Sequence, residues 1–289
     1  MSILEIMPVH RHKKFERSKE PPENVRIQPR DLELLRDIAE YRFLDTQQIL
    51  ALYPTSPRNV RLRLLKLYQD GFVERPRAQK TFPRSKQFLI YSLGEKGKEL
   101  VSVSRKEFSK QSKEVGFPYL AHAMMVSQFR ATLTLALRKY PSHPKIERWL
   151  QGYDLRDELA SHGGRPELVP DAFFTIKDKD EFLDFFLEAD QSTMEGKRML
   201  AKMRIYWKWW RGLRHEKTLG IKNFRVLTIT KSEERAENLC HITKQADDRR
   251  TGSNMFLFLS EKKYSLEKPE AVLSPIWTSA KGEKHALLE

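Results

Sequence analysis

The first third of the chain carries three stretches in which apolar residues recur with helical spacing. PRDLELLRDIAEYRF predicts a first helix, because its apolar positions fall three or four residues apart: Leu32, Leu35, Ile38 and Tyr41 or Phe43. LDTQQILALYP predicts a short second helix that has Asp45 or Thr46 as its N-cap and stops at Pro54. SPRNVRLRLLKLYQDGF predicts a third helix from Ser56 to Gly71.

Two strands are predicted after the third helix. FVER and QFLIYSL are joined by PRAQKTFPRSK, a basic loop interrupted by prolines. Three helices followed by a hairpin with a charged tip is the order of a winged helix-turn-helix, in which the third helix enters the major groove of DNA and the wing lies along the phosphates. The pattern predicts such a domain over residues 29–104, with a basic flexible tail at 1–28 and a polar linker at 105–117.

Residues 118–141 form a strongly apolar helical stretch that ends at Pro141. A helix this apolar is buried, either at the junction between two domains or against a second copy of itself in a homodimer. His122 lies on this connecting or dimerisation helix. We interpret it as a packed residue, because a lone histidine among apolar neighbours is more often packed than a ligand.

The rest of the chain mixes strand and helix patterns. Strands are predicted in KIERWL, LVPDAFFTI, LDFFLEA, FRVLTIT and NMFLFLS, and helices in DLRDELASHGG, TMEGKRMLAKMRIYWKWWRG and SEERAENLCHITKQA. This order predicts a mixed α/β sheet with helices on its faces over residues 145–279, and an α+β chain of two domains. Of Trp207, Trp209 and Trp210, at least two are expected in the core, whereas an exposed one could stack on an unpaired base.

Charge indicates the kind of partner. The net charge of +14 and a pI of about 9.7 indicate a polyanion. Residues 58–86 hold nine basic residues against two acidic ones, which is half of the excess. The single Cys240 excludes an internal disulfide and a Cys-based zinc cluster. With no apolar run of membrane-spanning length and no secretory signal, a cytoplasmic protein without a membrane partner is expected.

The basic run coincides with the predicted recognition helix and wing, so double-stranded DNA is the expected partner. A solvated surface is the alternative, since most charge runs are only that. Candidate contacts to base edges and phosphates lie on the helix and the wing: Arg58, Asn59, Arg61, Arg63, Lys66, Arg77, Lys80, Arg84 and Lys86.

Three carboxylates lie at the ends of two predicted strands. Glu188 and Asp190 share one strand face in LDFFLEADQST, and Asp171 stands one strand earlier in VPDAFFTI. Like charges in a half-buried cleft repel unless a cation intervenes, and Mg²⁺ or Mn²⁺ is the cation that suits oxygen ligands beside phosphates. These three residues are candidate metal ligands. Spacing alone favours the alternative, solvated strand-end carboxylates without a ligand.

The same residues resemble a known nuclease pattern. Pro170-Asp171, Glu188-Ala189-Asp190 and Lys202 with Tyr206 resemble the PD-(D/E)xK, or restriction-endonuclease-like, fold. With an upstream winged helix, the chain resembles the replication-relaxation family of plasmids and other mobile elements over about residues 30–278. The segments that carry this resemblance are LLRDIAEYRFLDTQQI, RLLKLYQDGFVER, IYSLGEKG, VPDAFFTI, FFLEADQST and AKMRIYWKW. The family implies a role in plasmid replication and DNA relaxation.

One position departs from the nuclease pattern. In active members a lysine usually stands two residues after the glutamate, where this chain has Asp190. The resemblance implies that the lysine has moved to the following helix, with Lys202 as the first candidate, Lys197 as the second, and Tyr206 to orient it. Lys202 could instead snorkel at the edge of an apolar stripe. The candidate catalytic set is therefore Asp171, Glu188, Asp190, Lys202 and Tyr206.

Three functions stay open. The first is a replication or relaxation protein that nicks or remodels DNA at a metal-dependent site, with other replication proteins of the element as candidate partners. The second is a non-catalytic DNA-binding protein that uses a degenerate nuclease fold for dimerisation or as a second DNA-binding surface. The third is a transcription regulator. A cation between Asp171 and Glu188 would favour the first, and carboxylates paired to Lys or Arg would favour the second.

Overall fold

The computed structural model describes residues 14–18, 25–81, 87–101, 115–160, 166–192 and 195–289. Its first unit contains, in chain order, α1 (Pro29–Tyr41), β1 (Leu44–Asp45), α2 (Thr46–Leu52), α3 (Pro57–Gln69), β2 (Val73–Glu74), a 3-10 turn (Arg77–Thr81), β3 (Ile90–Leu93) and α4 (Glu95–Leu100). β3 lies between β1 and β2 in an antiparallel three-stranded sheet. The three predicted helices and two predicted strands are confirmed, and β1 is an addition to them.

Local sequence explains where these helices begin and end. The Asp45 side chain caps α2 by accepting a hydrogen bond from the backbone N–H of Gln48 at 2.8 Å. The apolar stripe of α3 is buried in the core of the unit: Val60, Leu64, Leu67 and Tyr68. Gly71 follows α3 with a φ of +88°, a left-handed conformation that turns the chain into β2.

Residues 14–18 lie against α3 and β2, which differs from the expectation of a flexible N-terminal tail. Arg17 donates to the backbone carbonyl of Tyr68 at 2.8 Å and pairs with the Glu74 carboxylate at 2.5 Å. Its guanidinium also lies 5.3 Å from the centre of the Tyr68 ring. These contacts anchor the segment to the end of α3.

Helix α5 (Phe117–Lys139) joins the first unit to the rest of the chain without a break, as predicted. Phe129 and Leu133 pack on the large sheet, whereas Leu120 and Ala131 pack on the first unit. Arg130 strengthens the junction by pairing with a carboxylate of α1 at 2.6 Å. Of the two alternatives for this helix, burial at the junction is the one that the chain adopts, and the homodimer stays a prediction.

The second part of the chain forms a seven-stranded mixed sheet. Its elements are β4 (Lys145–Gln151), α6 (Gly152–Ala160), β5 (Ala172–Asp178), β6 (Glu181–Asp190), α7 (Gly196–Arg211), α8 (Arg214–Leu219), β7 (Arg225–Thr230), α9 (Glu233–Thr243), β8 (Phe256–Ser260), 3-10 turns at Glu261–Lys263 and Pro269–Leu273, β9 (Trp277–Ser279) and β10 (Lys284–His285). The strand order is β10-β9-β8-β7-β6-β5-β4, with β6, β7 and β8 parallel and the outer pairs antiparallel. The predicted α+β class is confirmed.

Helices cover both faces of the large sheet, and the alternation along β6 decides which residues face which layer. Phe185 and Leu187 point into the core beneath α5. Phe186 points to the opposite core, which α6, α7, α8 and α9 cover. Because side chains alternate along a strand, Glu188 lies on the same side as Phe186 and faces α7.

The sheet extends beyond the predicted domain end at Ser279, since β10 pairs with β9 and Leu287 is fully buried. The predicted wing residues Arg84 and Lys86 lie outside the described residues, as do most of the predicted linker and most of the N-terminal tail. Across the described ranges, no helix combines the length and apolar character needed to cross a membrane.

Candidate functional site

The register between β5 and β6 brings Asp171 and Glu188 to the same edge of the large sheet. Ala172 pairs with Leu187, so Asp171 and Glu188 flank that pair on neighbouring strands. The backbone N–H of Asp171 donates to the Leu187 carbonyl at 3.1 Å. The Asp171 carboxylate in turn accepts the backbone N–H of Ala189 at 2.8 Å. These bonds fix the Asp171 carboxylate at the strand end.

Glu188 receives two donors from α7. The Lys202 amine donates to one of its carboxylate oxygens, and the Tyr206 hydroxyl donates to the other. Lys202 and Tyr206 stand four residues apart, which places them on one face of the helix. Tyr206 was expected to orient Lys202, and it contacts Glu188 instead. The Glu188 side chain is only 3% exposed, so this pair lies in the protein interior.

His122 completes the cluster from the first turns of α5. Its Nε2 lies 3.1 Å from the Asp171 carboxylate, and both side chains are partly exposed. The interpretation of His122 as a merely packed residue is therefore corrected: it is the ion-pair partner of Asp171. The spacing of apolar residues along α5 gave no sign that the N-terminal end of this helix would meet the end of β5.

Asp190 does not join this cluster, although it shares the strand face of Glu188. Its two oxygens accept hydrogen bonds from the Arg235 guanidinium of α9 at 2.7 and 3.3 Å. Asp190 is 4% exposed, so the pair is buried. The expected third carboxylate is thus held by an arginine, and Lys197, the second lysine candidate, lies exposed on α7.

The cluster balances two carboxylates with two bases. Burial works to raise the pKa of Asp171, but the hydrogen bond and charge of His122 outweigh it and hold this pKa below its usual range. Burial raises the pKa of Glu188 to about 7, with Lys202 opposing the rise and Asp171 adding to it. Burial works to lower the pKa of Lys202 and of His122, yet the neighbouring carboxylates raise both. The cationic forms of Lys202 and His122 are therefore favoured.

The expected Mg²⁺ or Mn²⁺ does not fit these residues as they are placed. Each of the four carboxylate oxygens of Asp171 and Glu188 already meets a protein donor. Asp190 is held by Arg235. Within the described ranges, no group of three or more His, Cys, Asp or Glu side chains is arranged to hold a metal ion. A divalent cation bound to these oxygens would lie beside the Lys202 amine and the His122 imidazole, whose cationic forms repel it.

The residues predicted to contact DNA lie on the first unit, far along the chain from this cluster. The exposed members are Arg58, Asn59, Arg61 and Lys66 on α3, with Arg77 and Lys80 in the turn after β2. Leu62 lies among them and is 48% exposed. Arg63 is less available, because its guanidinium pairs with Asp31 and also donates to a backbone carbonyl at 2.8 Å.

Comparison with protein-family models matches residues 35–223 to the family described as replication-relaxation. The match spans about two thirds of the chain and includes α3, Asp171, Glu188 and Lys202, but it ends before Arg235. No curated protein and no solved structure matches the chain.

Proposed function

Because the chain belongs to the replication-relaxation family, we propose that it binds double-stranded DNA of a plasmid or another mobile element and acts in the replication or relaxation of that DNA. The exposed cationic face of α3 is the observation that carries the proposal. A transcription regulator would use the same face, but the family gives no support for that alternative.

The order of elements in the first unit supports a winged helix-turn-helix domain at about residues 29–104. Three helices precede the last two strands, and β1 adds a third strand to the small antiparallel sheet. In this type of domain the third helix reads the major groove. Here α3 begins at the exposed Ser56-Pro57 and is the helix that bears the basic face.

The chemistry of α3 suits a duplex. Arg58 and Arg61 are exposed near its start and can reach phosphates or the acceptor edge of guanine, and Asn59 can pair with adenine. The exposed Leu62 offers an apolar contact for a thymine methyl group. Arg77 and Lys80 extend the positive surface towards the phosphates beside the groove.

The charged cluster supports the non-catalytic form of this proposal. In that form the seven-stranded domain has a nuclease-like fold, and the pairing of Asp171 with His122 and of Glu188 with Lys202 serves to hold α5 and α7 on the sheet edge. One observation favours metal-dependent cleavage as a second candidate function: Lys202 reaches Glu188 from the following helix, where the nuclease resemblance puts its lysine.

Duplex binding is tested by fluorescence anisotropy with labelled double-stranded DNA. We expect the Arg58→Ala/Arg61→Ala/Lys80→Ala variant to bind at least about tenfold more weakly than the wild type, because three phosphate contacts are lost. The matched control removes three exposed lysines elsewhere and should bind like the wild type: Lys139, Lys145 and Lys268. Equal binding by both variants would refute the proposed surface.

Cleavage is tested separately with supercoiled plasmid DNA and Mg²⁺ or Mn²⁺. The non-catalytic form predicts that the wild type leaves the plasmid supercoiled under conditions in which it binds DNA. Nicking by the wild type that disappears in the Glu188→Gln variant would replace it with the cleavage alternative and would leave the duplex-binding proposal intact.

A further inference from the structure

The exposed face of α7 is a second basic surface, separate from α3. Between Gly196 and Arg211 the sequence contains six basic residues and no acidic one. Lys202 points into the charged cluster, but Lys197, Arg204, Lys208 and Arg211 are exposed. Their spacings of seven, four and three residues place these four on one side of the helix.

Like charges one turn apart destabilise a helix, so an anion bound along this row would stabilise it. Arg211 has one, because it pairs with the exposed Asp248. Among the residues that the structure describes, Arg204 reaches only the backbone carbonyl of Gln245, at 3.5 Å. For Lys208, the described part of the chain contains no acid within ion-pair distance. Two cations in the middle of the row are therefore not neutralised by the described residues.

An exposed tryptophan lies next to Arg211 at the C-terminal end of α7, beside the row and not within it. Trp210 is 40% exposed, whereas its neighbour Trp209 is 6% exposed and packs in the core. The Trp210 ring is supported by Trp207, with 5.3 Å between ring centres and 31° between the ring planes. Burying an exposed indole is favourable, and a ring already held by a second ring loses little freedom when a ligand stacks on it.

A cavity of about 370 Å³ opens beside Trp210. Its lining includes two cations, Arg211 and Lys222, one carboxylate, Glu216, and the side chains of Leu213 and Asn223. Lys222 can pair with a phosphate, the asparagine amide can pair with a base edge, and the leucine adds apolar surface. These are the groups that a nucleotide with an unstacked base requires.

We infer that the α7 row, defined as Lys197, Arg204, Lys208 and Arg211, binds a single strand of DNA together with Trp210, which lies beside the end of the row. The cations lie along the phosphates, and Trp210 stacks on one base. A single strand fits better than a duplex, because bases within a duplex are stacked on each other and leave no face for an indole. This inference deepens the proposed function by giving the second domain its own nucleic-acid surface.

The test measures binding of the full-length chain to labelled oligothymidine and, in parallel, to labelled duplex DNA. Trp210→Ala should weaken oligothymidine binding at least about fivefold, the lower end of what one base stack contributes. Trp210→Phe should retain most of the binding, because the phenyl ring still stacks. Arg204→Ala/Lys208→Ala should weaken binding and lower the salt slope by about 0.7 for each phosphate contact.

The control Lys139→Ala/Lys268→Ala removes two exposed lysines from the α5 side of the sheet, and its binding to oligothymidine should equal that of the wild type. The Arg58→Ala/Arg61→Ala/Lys80→Ala variant should bind duplex DNA more weakly and oligothymidine like the wild type, which separates the two surfaces. Wild-type affinity for oligothymidine in Trp210→Ala overturns the inference. So does an equal loss for duplex and single strand in all α7 variants, since the row would then belong to the duplex surface.

Discussion

Replacement of Glu188 by glutamine should change how the stability of the protein depends on pH. Glu188 is buried beside Asp171, and its pKa rises from an ordinary value of 4.5 to about 7. Between these two pH values the folded chain holds a proton on Glu188 that the unfolded chain releases. The free energy of unfolding of the wild type therefore falls as pH rises through this window.

The size of the effect follows from the shift. Each pKa unit corresponds to about 1.4 kcal/mol, so the shift is equivalent to about 3 kcal/mol between pH 4.5 and pH 7. Glutamine keeps an acceptor for the Tyr206 hydroxyl but does not titrate. The wild type should thus lose about 3 kcal/mol relative to Glu188→Gln across this range. A constant offset from the lost Lys202 contact does not alter that slope.

Urea unfolding followed by tryptophan fluorescence, repeated from pH 5 to pH 8, measures the difference directly. The matched control is Asp248→Asn. It removes a carboxylate that is 63% exposed and pairs with Arg211 of α7, the helix that also carries Lys202. Exposed ion pairs contribute little, so the control should follow the wild type. Parallel curves for the wild type and Glu188→Gln would show that Glu188 does not take up a proton on folding in this pH range.

Three further outcomes follow from the cluster. The pKa of His122 is raised in the folded chain, so its pair with Asp171 stabilises the fold below about pH 6.5 and loses this effect as pH rises through the folded pKa. His122→Ala should therefore cost more stability at pH 5.5 than at pH 9. Lys202→Met should cost about 1 kcal/mol more at pH 8 than at pH 5, since Glu188 then loses the charge that opposes its protonation. Calorimetric titration with millimolar Mn²⁺ should show no binding to the wild type, whereas binding by His122→Ala/Lys202→Ala would show that these two bases keep the metal out.

The sequence predicts the strands that carry the site because their patterns are long. β6 is ten residues long and its last six residues alternate between two buried layers, which identifies both the strand and the face of Glu188. The spacing of four residues between Lys202 and Tyr206, about one helical turn, likewise places both side chains on one face of α7. Periodicity within one element is enough for these statements.

The partners of the carboxylates could not be predicted in the same way. His122 and Arg235 come from α5 and α9, and no spacing within either helix tells which strand end it will meet. The prediction of a three-carboxylate centre is therefore not matched by the structure, because Asp190 has its own arginine. β1 and β10 are two residues long, too short for any period to show, and they are recognised only through the strands with which they pair.

Duplex binding by α3 and the turn after β2 can be tested through its salt dependence. The measurement is the affinity for double-stranded DNA over a range of salt concentrations, for the wild type and for Arg58→Ala/Arg61→Ala/Lys80→Ala. Each phosphate contact contributes about 0.9 to the slope of log affinity against log salt. Loss of three phosphate contacts should make the slope of the variant smaller by about 2 to 3. An unchanged slope and affinity would contradict this prediction.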